Sequence, residues 1–162
     1  MILNSKILGA DEKKIIILHG FLGSLDNWVT FAKKLSNNGY EVHLIDQRNH
    51  GKSFHSDDFN YELMANDLYK YLYEKNINKT SILGHSMGGK TAMLYSLMYP
   101  DTINKLIVVD ILPVNYNTNY DEIFRALLEI DLKEIKSRND FNIHLNKHFD
   151  DPNFILFLSK NL

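Results

Sequence analysis

Cysteine is absent from the 162 residues, which removes disulfides, thiolate metal sites and a cysteine nucleophile from consideration. A positive charge excess is missing as well: 18 Lys and Arg stand against 20 Asp and Glu, a formal net charge of -2. No basic run is interleaved with aromatics, so nothing would attract a phosphate backbone and no nucleic-acid partner is expected. No segment approaches the ~20 consecutive apolar residues of a membrane span. The opening MILNSKILGADEKK lacks the basic start and sustained apolar stretch of a secretory leader. The expectation is a cytoplasmic protein with no membrane partner. Repeats, low-complexity tracts and Ser/Gly linkers are absent too. What remains is 44% hydrophobic and 23% charged, an ordinary globular composition long enough to bury a core.

Four short apolar runs punctuate the chain: KIIILHG from Lys14, YEVHLID from Tyr40, TSILGHS from Thr80 and KLIVVD from Lys105. Ile15 to Leu18 and Leu106 to Val109 are continuous rather than alternating, as in strands covered on both faces of a parallel sheet. Between the runs the apolar period becomes helical. Trp28, Phe31, Ala32 and Leu35 precede Asn38-Gly39, and Tyr61, Met64, Ala65, Leu68, Tyr71 and Leu72 precede Asn76. A third helix is expected from Met87 to about Tyr99, closed by Pro100. Such alternation predicts an α/β fold with a mostly parallel sheet. After Pro113 the strand pattern stops. Asn119 and Asp151-Pro152 have the character of helix starts, and apolar residues recur at Ile123, Leu127, Ile130 and at Phe141, Leu145, His148, Phe149. The reading is one domain, with an α/β core over residues 1–112 and a helical cap segment over 113–162.

The stretch ILGHSMGGKTAM, Ile82 to Met93, satisfies two patterns at once. Gly84 to Gly88 is G-x-S-x-G, a turn that exposes a nucleophilic serine, here Ser86. Gly84 to Thr91 is also G-x-x-x-x-G-K-T, in which backbone N–H groups cradle phosphates, Lys90 reaches the outer ones and Thr91 holds magnesium. LIVVD, ending at Asp110, would suit the second reading as a magnesium-holding strand end. The first reading asks for more. It needs small residues two before and two after the serine, which Gly84 and Gly88 provide, and a loop after an earlier strand to supply a second oxyanion N–H, for which ILHGFLGS is placed. On that reading the oxyanion hole takes its backbone N–H groups from Phe21 and Met87.

HGFLGSLDNW, DQRNHGKS, GHSMGGKTAM and VVDILPV, in that order, resemble the α/β-hydrolase superfamily, and within it the YbfF-type bacterial esterases and their mitochondrial abhydrolase-domain relatives. The resemblance is strong to Asp110 and weaker beyond it. It implies an esterase acting on a small-molecule ester, a short or medium acyl ester or thioester, through an acyl-enzyme on Ser86. A serine at the elbow, where dehalogenase and epoxide-hydrolase relatives carry Asp, fits acyl rather than alkyl transfer. In the YbfF type the triad acid resembles Asp110 in position. The segment DQRNHGKS departs from the superfamily pattern at Asn49, where glycine is commoner, and is expected to be architectural, with Asp46 and Arg48 paired beneath the site.

Histidine is the difficulty, because a serine nucleophile needs a general base. His19, His43, His50, His55 and His85 all precede Asp110, with His85 expected to throw its side chain away from the serine beside it. The family's base follows a final strand, and no strand pattern follows Asp110. The expectation is therefore a C-terminally truncated α/β-hydrolase sheet. Its alternative functional reading is a catalytically incomplete fragment, or a half that assembles with another chain, able to self-associate through the uncovered sheet edge. His144 and His148 have the i, i+4 spacing of metal ligands on a helix, but without the Glu of H-E-x-x-H or a third ligand in reach no metal is expected, and no cofactor.

Overall fold

In a computed structural model, which describes residues 2–116 and 119–162, the chain divides into two compact units, residues 1–113 and 114–162. The first is built on five strands, β1 (Ser5–Leu8), β2 (Lys14–Leu18), β3 (Glu41–Ile45), β4 (Thr80–His85) and β5 (Ile103–Val109), in the order β1-β3-β2-β4-β5. The β3, β2, β4 and β5 strands are mutually parallel, and β1 runs antiparallel to β3 at one edge. Parallel neighbours need crossovers, and helices α1 (Val29–Ser36), α2 (Tyr61–Glu74) and α3 (Met87–Met98) supply them.

The unbroken apolar run of β2 is explained by what lies on each side. Ile16 and Leu18 pack with Ala65, Leu68, Tyr71 and Leu72 of α2 and with Ala92 and Tyr95 of α3. Ile15 and Ile17 face the other way, toward Val42, Leu44 and Ala32, with Trp28, Val29 and Leu35 closing that layer. Helix α2 starts where Asn60 accepts the Leu63 N–H at 2.8 Å. Its buried residues Met64, Leu68, Tyr71 and Leu72 recur at helical spacing.

The sheet departs from the sequence reading at both edges. Strand β1 has only four residues and a part-exposed pattern, too weak a signal to be seen beside the longer runs. Strand β5, expected to be covered on both faces, is not: Leu106 and Ile107 are 37% and 40% exposed. It ends the sheet order, pairing with β4 alone among the described residues.

The connection after β3 is held by buried polar groups. Contrary to expectation, Asp46 does not pair with Arg48. Its carboxylate accepts the Leu25 N–H (2.7 Å), the Lys52 N–H (2.9 Å) and the Asn4 amide (2.7 Å). Arg48 turns instead to Asp67 of α2 at 2.6 Å, donates to the Asp58 carbonyl and lies over the Phe54 ring. Asn49 has φ 61°, in the left-handed region that Asn tolerates better than most residues, which is why it can stand where glycine is commoner. Its side chain then exchanges hydrogen bonds with Ser56.

The second unit holds α4 (Asp121–Leu128), α5 (Arg138–Leu145) and α6 (Pro152–Leu158). Asp151 caps α6 with proline at the first helical position, as expected. The expected start at Asn119 falls two residues early; its side chain accepts the Asp121 N–H at 2.8 Å. Among the described residues no helix is long and apolar enough to cross a membrane.

The Arg48–Asp67 pair generates a prediction. Both side chains are almost fully buried, so Asp67→Ala leaves the guanidinium uncompensated and should cost about 3 kcal/mol. Urea unfolding checks it; a loss below about 1 kcal/mol would mean that Asp58 and Phe54 satisfy Arg48 by themselves.

Candidate active site

In an open parallel sheet, ligands bind beyond the strand C-termini where the strand order reverses. Here the chain leaves β2 toward β3 on one side and comes back to β4 on the other. The reversal point is the crevice at the ends of β2 and β4, and Gly20 and Ser86 meet there.

Ser86 is the single residue between β4 and α3, with φ 50° and ψ -116°. Positive φ at a side-chain-bearing residue costs on the order of 1–3 kcal/mol and persists only where its surroundings enforce it. The enforcement is backbone contact. A Cβ on Gly88 would lie 2.5 Å from the Leu18 carbonyl oxygen and 2.6 Å from that of His19, and one on Gly84 would overlap the Gly88 carbonyl. The Ser86 N–H donates to the Val109 oxygen at 3.0 Å, tying the turn to the end of β5.

This geometry does not fit the phosphate-loop reading of the Gly84–Thr91 stretch. A phosphate loop needs several residues curled between strand and helix. Here α3 is already running at Met87, and Lys90 and Thr91 lie within it. Thr91 is buried, and its hydroxyl donates to the Met87 carbonyl at 3.2 Å, an intrahelical bond rather than a magnesium ligand position.

The loop after β2 lies against this turn. A Cβ on Gly20 would be 2.9 Å from His85 Nδ1 and 3.4 Å from Ser86 Cβ. Phe21 follows at once, and the loop closes with Gly23 N–H on the Gly20 oxygen at 3.0 Å and Leu22 at φ 57°. Met87 opens α3, where first-turn N–H groups have no intrahelical acceptor and the helix dipole favours negative charge.

Three residues to which the sequence assigned no such role hold that loop. His19 is buried; its Nδ1–H donates to the Gly20 oxygen (2.8 Å) and its Nε2 accepts the Gln47 N–H (3.1 Å). The Gln47 amide returns a bond to the His19 oxygen at 2.8 Å. His50 donates from Nδ1 to the Arg48 oxygen and accepts the Leu22 N–H at Nε2 (3.2 Å). Burial holds both rings neutral, pushing His19 down to about 4 and His50 below its ordinary value. Only the two-sided bonding in the folded state could have revealed these roles.

Asp110 follows β5 with φ 55°, and its side chain is 87% exposed rather than buried, because β5 is a sheet edge. Its Oδ2 is 3.9 Å from His85 Nε2. His85 thus sits between the Gly20 loop and Asp110, with Trp28 at a ring-centroid separation of 6.0 Å.

The family model for the alpha/beta hydrolase fold matches residues 13–160. The chain belongs to the α/β-hydrolase family. It is 36% identical over 152 residues to "Esterase YbfF" of Escherichia coli, covering 93% of this chain and 59% of the relative. It is 36% identical over 159 residues to "sn-1-specific diacylglycerol lipase ABHD11" of Danio rerio, covering 94% of this chain and 50% of that one. Among solved structures, "Marine microorganism esterase" superposes with a TM-score of 0.95 at 42% identity, over 99% of this chain and 63% of that protein. The α/β-hydrolase chain here therefore spans half to three-fifths of the length of these relatives.

The neutral histidines beneath the loop predict a pH dependence of folding. Unfolded, His19 takes up a proton below its ordinary 6.5; folded, it resists until about 4. The unfolded state binds the extra proton, so stability is full above 6.5 and falls across that window, by up to about 3 kcal/mol for His19. His43 and His50 act in the same direction. A His19 ring whose NMR signals titrate near 6.5 would refute this.

Proposed function

We propose that the chain carries the nucleophile, oxyanion donors and acid of a serine hydrolase for carboxylic esters. The observation that carries the reading is Ser86, held at positive φ between β4 and α3 by glycines that admit no side chain. On this reading Ser86 Oγ attacks the ester carbonyl and gives its proton to a histidine base. The N–H groups of Phe21 and Met87 receive the oxyanion, and Asp110 stabilises the imidazolium. The intermediate collapses as the alcohol or thiol departs with that proton, leaving acyl-Ser86. Water, deprotonated by the same histidine, then releases the acid and restores the serine. A short or medium acyl ester or thioester is the substrate class, and the esterase names among its relatives support the reaction type.

The experiment is labelling with a fluorophosphonate in a chain extended to the length of its relatives. Ser86→Ala should abolish labelling, whereas Lys90→Ala should leave both labelling and ester turnover largely intact. Labelling that survives Ser86→Ala sinks the assignment.

A second reading, that these 162 residues are a catalytically incomplete part, has its own support. Three of the seven histidines are committed through both ring nitrogens: His19, His50, and His43, which bonds Tyr71 and Glu41. His55 is exposed on a loop, and His144 and His148 belong to the second unit. A triad deprived of its base retains roughly 10³ to 10⁴ over water from binding and oxyanion stabilisation, far below a working enzyme. The 162 residues alone should turn over a p-nitrophenyl ester orders of magnitude more slowly than the extended chain, and should self-associate through the exposed edge of β5. Turnover and light scattering measure both. Ordinary turnover by a monodisperse monomer would instead assign the base to a histidine present here, His85 first, since it faces Asp110.

A further inference from the structure

The sequence offered His144 and His148 as two metal-type ligands with no third group in reach, and the structure supplies one. Glu129 brings a carboxylate oxygen, and one atom from each of the three residues lies within 4.8 Å of the others. We propose that Glu129, His144 and His148 form a binding site for a divalent transition-metal ion, Zn²⁺ before others, that clips the C-terminal end of α4 to that of α5.

The placement follows from the two helix ends. Beyond Leu145 the chain keeps turning, with Lys147 N–H on the His144 oxygen (3.1 Å) and His148 N–H on the Leu145 oxygen (3.0 Å). The i, i+4 relation therefore survives past the end of α5, and the two imidazole centroids stand 5.3 Å apart. Glu129 is the C-cap residue of α4. A carboxylate there sits at the negative end of the helix dipole, where a cation is favoured and another negative charge is not. His148 Nε2 and Glu129 Oε2 are 3.4 Å apart, about the spacing that two ligands take on a tetrahedral zinc with bonds of ~2.1 Å.

His144 brings outer-shell support. Its Nε2 lies 3.1 Å from the Ala126 carbonyl, which can only accept, so Nε2–H donates there and Nδ1 is the nitrogen that would face a metal. A ring that releases this carbonyl offers Nε2 instead. Glu129 and His148 side chains are 51% and 22% exposed, so an ion can enter and water can complete the fourth position. Two imidazoles and one carboxylate suit Zn²⁺ better than the oxygen-seeking Mg²⁺ or Ca²⁺. An ion bound only in the folded state would stabilise the α4–α5 pair by mass action.

The same contacts also make sense as a helix cap and an ion pair, so the test measures binding directly. Zn²⁺ is titrated calorimetrically into the chelator-treated 162-residue chain at neutral pH, with Co²⁺ absorption as a second readout of ligand geometry. One ion per chain is expected. Glu129→Gln should weaken binding at least about 10-fold and His144→Ala/His148→Ala should abolish it. His55→Ala, at an exposed histidine outside the cluster, should leave it unchanged. No uptake, or stoichiometric uptake that survives the double variant, overturns the proposal. Should the histidine variants lose helix by circular dichroism, the exposed Glu129→Gln decides: zinc held as tightly as by the parent chain refutes the site.

Discussion

The contact on which the rest of the first unit depends is backbone against backbone: α3 enters so close to β4 and to the end of β2 that the Leu18 and His19 carbonyls occupy the space a side chain at position 88 would need. That approach leaves one residue to reverse direction between strand and helix, and the reversal drives Ser86 to positive φ. The strain is offset by the packing around it, with Ile16, Leu18, Ile82, Ala92 and Tyr95 all buried on the α3 side of the sheet. The place of the serine at the C-terminal end of β4 is thus a packing consequence, prior to any chemistry.

The loop opposite is held by different physics. Few apolar contacts are available at a strand end, so its shape rests on buried hydrogen bonds: His19 to Gly20 and Gln47, His50 to Leu22 and Arg48, Asp46 to Leu25 and Lys52. Groups bonded on both sides rigidify their surroundings and are costly to leave half-satisfied. A neutral imidazole donates at one nitrogen and accepts at the other, so it can bridge a carbonyl and an N–H as no lysine or carboxylate can. Burial lowers the proton affinity of His19, and a proton on Nε2 would displace the Gln47 N–H it accepts, which ties the shape of the loop to pH.

How legible all this was in the sequence depends on the range of the interaction. Local pattern was enough for β2, β3, β4, α2, α3 and the Asp151-Pro152 start, since each is set by its own period, cap or breaker. The Ser86 turn was legible up to an ambiguity, because G-x-S-x-G constrains backbone crowding that glycine spacing records. What escaped depended on partners far along the chain. Arg48 finds Asp67 nineteen positions on, Leu22 finds His50 twenty-eight positions on, and Glu129 meets His148 across a helix end. The exposure of Leu106 and Ile107 escaped for a related reason: a run of Leu-Ile-Val-Val states that a strand is apolar, while strand order decides whether anything covers it.

The two motifs that share Gly84 to Thr91 differ in where the helix begins, and that difference separates their chemistry. A phosphate cradle needs free N–H groups over several residues before the helix, with lysine at its first turn, so that positive charge converges on an anion held in front of it. When the helix starts one residue after the strand, the Lys90 N–H is spent on an intrahelical bond to the Ser86 oxygen at 3.1 Å, and the Thr91 hydroxyl likewise turns to the Met87 carbonyl. The opening turn of α3 has N–H groups without intrahelical acceptors, at the point where the Gly20 loop comes against the serine. On the proposed reading, N–H groups at that point suit a charge that appears on one oxygen beside Ser86 and vanishes again, rather than a polyphosphate that must be wrapped. The length of one turn, set by glycine crowding, thus argues against a nucleotide-binding loop at Lys90 and Thr91.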